Sequence, residues 1–122
     1  MLEAAVIINE DHNPIYWHCP NNRSSYAIPD SPDIWRFIWR NRDEIFGIAH
    51  THPGTGYPSP SQEDVTTFSA IEKALGRRLQ WWIATEDQLS LVTYAGPTEY
   101  AYAVLLLEEK PEWLDDLRNL SQ

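Results

Sequence analysis

The stretch from Ile45 to Asp64 constrains the chain more than any other. Ile45-Phe46-Gly47-Ile48-Ala49 is an apolar run of strand length, and His50 and His52 follow it at i and i+2. With a strand period of two, both imidazoles leave from one face at the strand's end, which is chelating geometry. Pro53 to Pro60 is rich in Gly and Pro and reads as a loop on the rim of a sheet. Ser59-Pro60-Ser61-Gln62 then reads as a capping box opening a helix, with Pro60 at its first position. Asp64 falls in the first turns of that helix, and Ser61 lies one turn before it on the same face. Two neutral imidazoles and one carboxylate, with a fourth position left for water, are the makeup of a catalytic zinc site; a closed structural site more often has four ligands and several thiolates. The plainer reading is two loop histidines hydrogen-bonded to backbone, with Asp64 favoured at a helix N-terminus on its own account.

The elements around this stretch follow from periodicity. Residues 3 to 9 read as a first strand, and Asp11-His12-Asn13-Pro14 as a turn into a second over residues 15 to 19. Residues 20 to 25 read as a polar loop and 26 to 29 as a short extended piece ended by Pro29. Ser31 can cap a helix with Pro32 at its first position, and Ile34, Trp35, Ile38 and Trp39 give it an apolar face through about Arg42. The helix after the His-x-His stretch carries Val65, Phe68, Ile71 and Leu75 on its apolar stripe, and Gly76 stops it. Strands follow at residues 79 to 84, 88 to 94 and 99 to 107, and Pro111 opens a short helix bearing Trp113, Leu114, Leu117 and Leu120. The order predicts one α/β (α+β) domain over residues 1–122, with a mixed, mostly antiparallel central sheet flanked by helices.

Charge and cysteine content narrow the chemistry. The net charge of -9 repels nucleic acid and anionic membrane, so neither is an expected partner. A lone Cys19 excludes a disulfide within this sequence and any multi-thiolate metal cluster, and it is expected to be core or partly buried. Beside it, His18 points to the opposite face of a strand, so the two do not form a thiol dyad. His12 and His18 read as a turn residue and a strand residue. The start Met1-Leu2-Glu3-Ala4 lacks the basic segment of a secretory signal, which implies a cytoplasmic protein. Six tryptophans and six tyrosines exceed what one small core needs and suggest an aromatic contact surface. Of the pair Trp81-Trp82, one is expected in the core and the other against a partner or a helix. The composition leaves the oligomeric state open.

His50-Thr51-His52-Pro53 followed by Ser61-Gln62-Glu63-Asp64 resembles the His-x-His-Pro and Ser-x-x-Asp signature of the JAB/MPN (JAMM) metalloproteases, and the element order from about residue 3 to 107 is similar to that fold. The resemblance implies a zinc isopeptidase acting on the C-terminal tail of a ubiquitin-like modifier, or a peptidase acting on a sulfur-carrier protein. It implies that His50, His52 and Asp64 bind Zn2+ and that Ser61 stabilises the oxyanion. It further requires a glutamate on an early strand as general base. Glu3 is the better placed if the first strand runs antiparallel beside residues 45 to 50, and Glu10 is the alternative at the strand's far end. Glu44 and Glu63 have no evident route to the open side of the metal. The chain departs from the family in having Ala4-Ala5-Val6-Ile7-Ile8-Asn9 where a glycine-containing pattern usually follows that glutamate. The alternatives from other classes are a non-catalytic protein-binding module and a metallopeptidase or amidase acting on small peptides.

Overall fold

The computed structural model describes residues 3–19 and 32–122. The loop and extended piece expected over residues 20 to 29, and the Ser31 cap, lie outside the described residues. In chain order the elements are β1 (Ala5–Asn9), β2 (Pro14–His18), α1 (Pro32–Arg40), β3 (Ile45–Thr51), α2 (Gln62–Leu75), β4 (Gln80–Ala84), β5 (Leu89–Tyr94), β6 (Tyr102–Leu107) and α3 (Leu114–Leu120). The strands form one six-stranded sheet in the order β2-β1-β3-β4-β5-β6. Every neighbouring pair is antiparallel except β3 and β4, which α2 joins in parallel. This is the α+β arrangement the element order predicts.

Strand alternation separates two cores. Ile7, Ile48, Trp81, Ile83 and Val92 face one side, where Ile34 and Ile38 of α1 and Phe68 and Ile71 of α2 cover them. Val6, Ile8, Ala49, Trp82 and Leu89 face the other, under Trp113, Leu114 and Leu117. Trp81 and Trp82 are therefore both buried, on opposite faces, and Trp82 meets Trp113 edge to face. Each Val, Ile, Leu or Phe among them, fully buried, stabilises the fold by roughly 1.5–3 kcal/mol. Gly47 makes room for the Trp82 ring, since a Cβ there would lie 2.5 Å from it and 2.4 Å from the Gln80 carbonyl.

Several boundaries differ from the sequence reading. Helix α2 starts at Gln62 with Ser61 as its N-cap, not with Pro60 at its first position. The last strand begins at Tyr102 instead of residue 99, because the Ala101 carbonyl accepts from the Ala95 and Gly96 N–H groups and closes the turn. On α1, Trp39 is exposed, with the Arg42 guanidinium over its ring, and Phe37 instead stacks on Tyr16. Cys19 is exposed, because β2 is an edge strand that ends at His18. No helix among the described residues is long and apolar enough to cross a membrane.

Candidate metal centre

His50 and His52 stand at the end of β3, where alternation sends both side chains toward α2. Their Nε2 atoms are 3.2 Å apart. Asp64 reaches both from the first turn of α2, with Oδ1 3.2 Å from His50 Nε2 and Oδ2 2.8 Å from His52 Nε2. The helix cap aims this carboxylate. Ser61 Oγ accepts from the Asp64 N–H at 3.0 Å, and Asp64 Oδ2 accepts from the Ser61 N–H at 2.8 Å. The Ser-x-x-Asp spacing is thus a reciprocal capping box with Asp in place of Glu, and it locks the Asp64 side chain on the histidine side.

One ligand atom from each of His50, His52 and Asp64 lies within 4.8 Å of the others. As a set of hydrogen bonds alone the arrangement is frustrated. If each Nε2 donates to Asp64, two N–H groups face each other across 3.2 Å; a cation shared by all three removes the conflict. The donor set, two imidazole nitrogens and a carboxylate, fits zinc. His50 Nδ1 is buried without a hydrogen-bond partner among the described residues, so that imidazole is oriented by packing against Phe68, with ring centroids 5.9 Å apart, in place of the hydrogen bond that usually holds a ligating histidine from behind.

Burial acts to raise the Asp64 pKa, but the charge of His50, hydrogen bonds from both imidazoles and the Ser61 N–H outweigh it. The carboxyl is held well below the ordinary carboxylate range. Side-chain exposure is 1% for His50, 11% for Asp64 and 22% for His52, so the group opens to solvent on the His52 side.

The loop after His52 is strapped to the β4–β5 turn. The His52 N–H donates to the Ala84 carbonyl at 2.9 Å, Thr85 Oγ1 to the Gly56 carbonyl at 2.7 Å and Ser90 Oγ to the Pro58 carbonyl at 2.7 Å. Gly54 and Gly56 take φ values of 92° and 103°, which favour glycine. Sequence patterning gave no sign of Thr85 or Ser90, because their partners are about 30 residues away.

β1 runs antiparallel to β3 with Ala5 opposite His50. Continuing that register by two residues puts Glu3 opposite His52, and Glu3 is buried. Glu10 lies at the other end of the sheet beside Asn9, Asp11, Asp43 and Glu44 around a shallow acidic hollow. At about 3.3 Å per residue, Glu10 is on the order of 20 Å from the histidines. Glu63 is exposed on α2, His12 is a turn residue at φ 63°, and His18 is buried at the end of β2.

No curated protein matches the chain. A family profile described as prokaryotic homologs of the JAB domain matches residues 3–102, from Glu3 through the whole histidine–aspartate group to the start of β6. With a match of that extent laid over this sheet, the chain belongs to the prokaryotic JAB-domain family.

Proposed function

We propose that the protein is a zinc-dependent peptidase hydrolysing an amide bond at or after the C-terminal tail of a ubiquitin-like modifier or sulfur-carrier protein. His50, His52 and Asp64 would hold the ion, which when bound supplies an acidified water and polarises the scissile carbonyl. Glu3 acts as general base, taking the proton from water and returning it to the departing amine. Its support is the register that brings it opposite His52. Glu10 and Glu44, at the opposite end of the sheet, have no comparable support. Ser61 Oγ already accepts from the Asp64 N–H, so its own O–H is left to donate to the oxyanion as it develops.

The observation that carries this reading is the convergence of three ligand atoms within 4.8 Å at a strand end, open on the His52 side. The test is zinc content measured together with hydrolysis of an isopeptide-linked or C-terminally extended ubiquitin-like substrate. Glu3→Gln should keep its zinc and lose about 100-fold or more in turnover, the range for a general acid–base group. A fully active Glu3→Gln protein would sink the assignment. A zinc-loaded wild type that cleaves neither this substrate nor small peptides would be a binding module.

A further inference from the structure

Thr51 sits between the two histidines, and strand alternation sends its side chain to the opposite face of the sheet, away from the metal group and toward α3. It is fully buried, as is Ser121 at the C-terminal cap of α3, and the two hydroxyl oxygens are 2.6 Å apart. The Ala4 N–H donates to Thr51 Oγ1 at 3.0 Å, while the Thr51 N–H donates to the Ala4 carbonyl at 3.0 Å. In a regular antiparallel ladder the Ala4 N–H would bond the Thr51 carbonyl. Here the side-chain oxygen takes the carbonyl's place at the point where β1 gives way to Glu3.

The proton count fixes a direction. Each hydroxyl has one proton to give. Ser121 Oγ lies 3.1 Å from the Leu117 carbonyl, whereas the other acceptor open to Thr51, the Ala4 carbonyl, is 3.5 Å away. The better-made set therefore runs from the Ala4 N–H to Thr51, from the Thr51 O–H to Ser121, and from the Ser121 O–H to the Leu117 carbonyl. Helix α3 is itself anchored at this end of the sheet: Arg118 donates to the Thr85 carbonyl at 2.9 Å and the Gln88 carbonyl at 3.1 Å. Thr85 in turn holds the Gly56 carbonyl in the loop after His52.

We infer that Thr51 and Ser121 are positioning residues: through the Ala4 N–H they fix the peptide plane that follows Glu3, and so hold that carboxylate at the level of His52. The peptide unit between Glu3 and Ala4 is planar, so pinning its N–H pins the backbone from which the Glu3 side chain departs. The brace reaches the candidate centre from the far face of the sheet and touches neither substrate nor metal. Its consequence for turnover rests on the peptidase reading; its consequence for the Ala4 amide does not.

The experiment compares Thr51→Val, Ser121→Ala and Thr51→Ser with wild type, using Ala4 amide hydrogen exchange, zinc stoichiometry and kcat against KM. Ser121→Ala, the milder change, keeps the experiment decisive if Thr51→Val folds poorly. Exchange at Ala4 should quicken in Ser121→Ala and more in Thr51→Val, with central β3 amides unchanged. The turnover number should fall by about 10-fold in both, as for groups that orient a metal site without touching the ion, at constant KM and full zinc loading. Thr51→Ser should recover most of both readouts, which a loss of general packing would not permit. Wild-type exchange at Ala4 in both variants overturns the brace whatever the activity. If wild type hydrolyses nothing, quickened exchange at Ala4 upholds the brace while the peptidase reading falls.

Discussion

Helix α2 carries two buried carboxylates, eight positions apart, and their surroundings are opposite in kind. Glu72 is 2% exposed and accepts from the Leu79 N–H and Trp81 Nε1, each at 2.9 Å, from Arg78 Nη1 at 3.1 Å, and from the Tyr102 hydroxyl. None of these donors gives up its proton near neutral pH, so Glu72 is satisfied within the protein and fastens α2 to β4 and β6. Asp64 faces two imidazoles whose ring nitrogens are lone-pair donors to a cation as readily as proton donors to a carboxylate. A carboxylate filled with fixed donors is a structural tie. One that shares its space with nitrogen ligands could hold an ion, and this contrast sets the two ends of the helix apart.

The contrast breaks most severely at Glu72. Glu72→Ala leaves the buried N–H groups of Leu79 and Trp81 without an acceptor, and should cost about 2–6 kcal/mol, at about 1–3 for each stranded donor. Denaturant unfolding checks this, and a loss below about 1 kcal/mol would reduce Glu72 to a surface-like contact. At Asp64 the expectation is reversed: the main loss is of metal. A chelator should lower the melting temperature of zinc-loaded wild type, because the three candidate ligands converge only in the folded state, and leave Asp64→Ala unmoved. A chelator-sensitive Asp64→Ala protein would show that the two histidines suffice.

The smallest expected effect is at Tyr102, whose pKa is raised above its ordinary 10.0, first by burial and then by its hydrogen bond to Glu72. A raised pKa means that the folded state favours the neutral phenol. Its stabilisation is complete below pH 10 and is lost as pH rises further. Tyr102→Phe should therefore cost about 1 kcal/mol at neutral pH, with the deficit closing in alkali. A pH-independent deficit would mean that the loss comes from packing alone.

The sequence carried the local half of this picture. The β3 run, the His-x-His step, the apolar stripe of α2 and its Gly76 stop are set by periods of two and 3.6 and by a left-handed cap at φ 71°, so they are legible without tertiary context. Local pattern places the start of α2 at the Ser59-x-x-Gln62 box, but Ser61-x-x-Asp64 two residues on forms a capping box as well. The second prevails where the Asp64 carboxylate also bonds His52, a contact no local rule contains. Glu72 left a faint signal as a charged residue four positions after Phe68 on the apolar stripe, but its partner Tyr102 is 30 residues distant. Thr51 and Ser121 are 70 residues apart, and only the docking of α3 brings them together.

The three-ligand site is tested most directly by a zinc titration of wild type, Asp64→Ala and Glu72→Gln run side by side. One ion per chain is expected for wild type and for whatever fraction of Glu72→Gln remains folded. For Asp64→Ala the affinity should fall by more than about 100-fold, beyond the 10–100-fold typical of losing a group that only supports a ligand. Equal zinc affinity in Asp64→Ala and wild type would contradict a ligand role for Asp64.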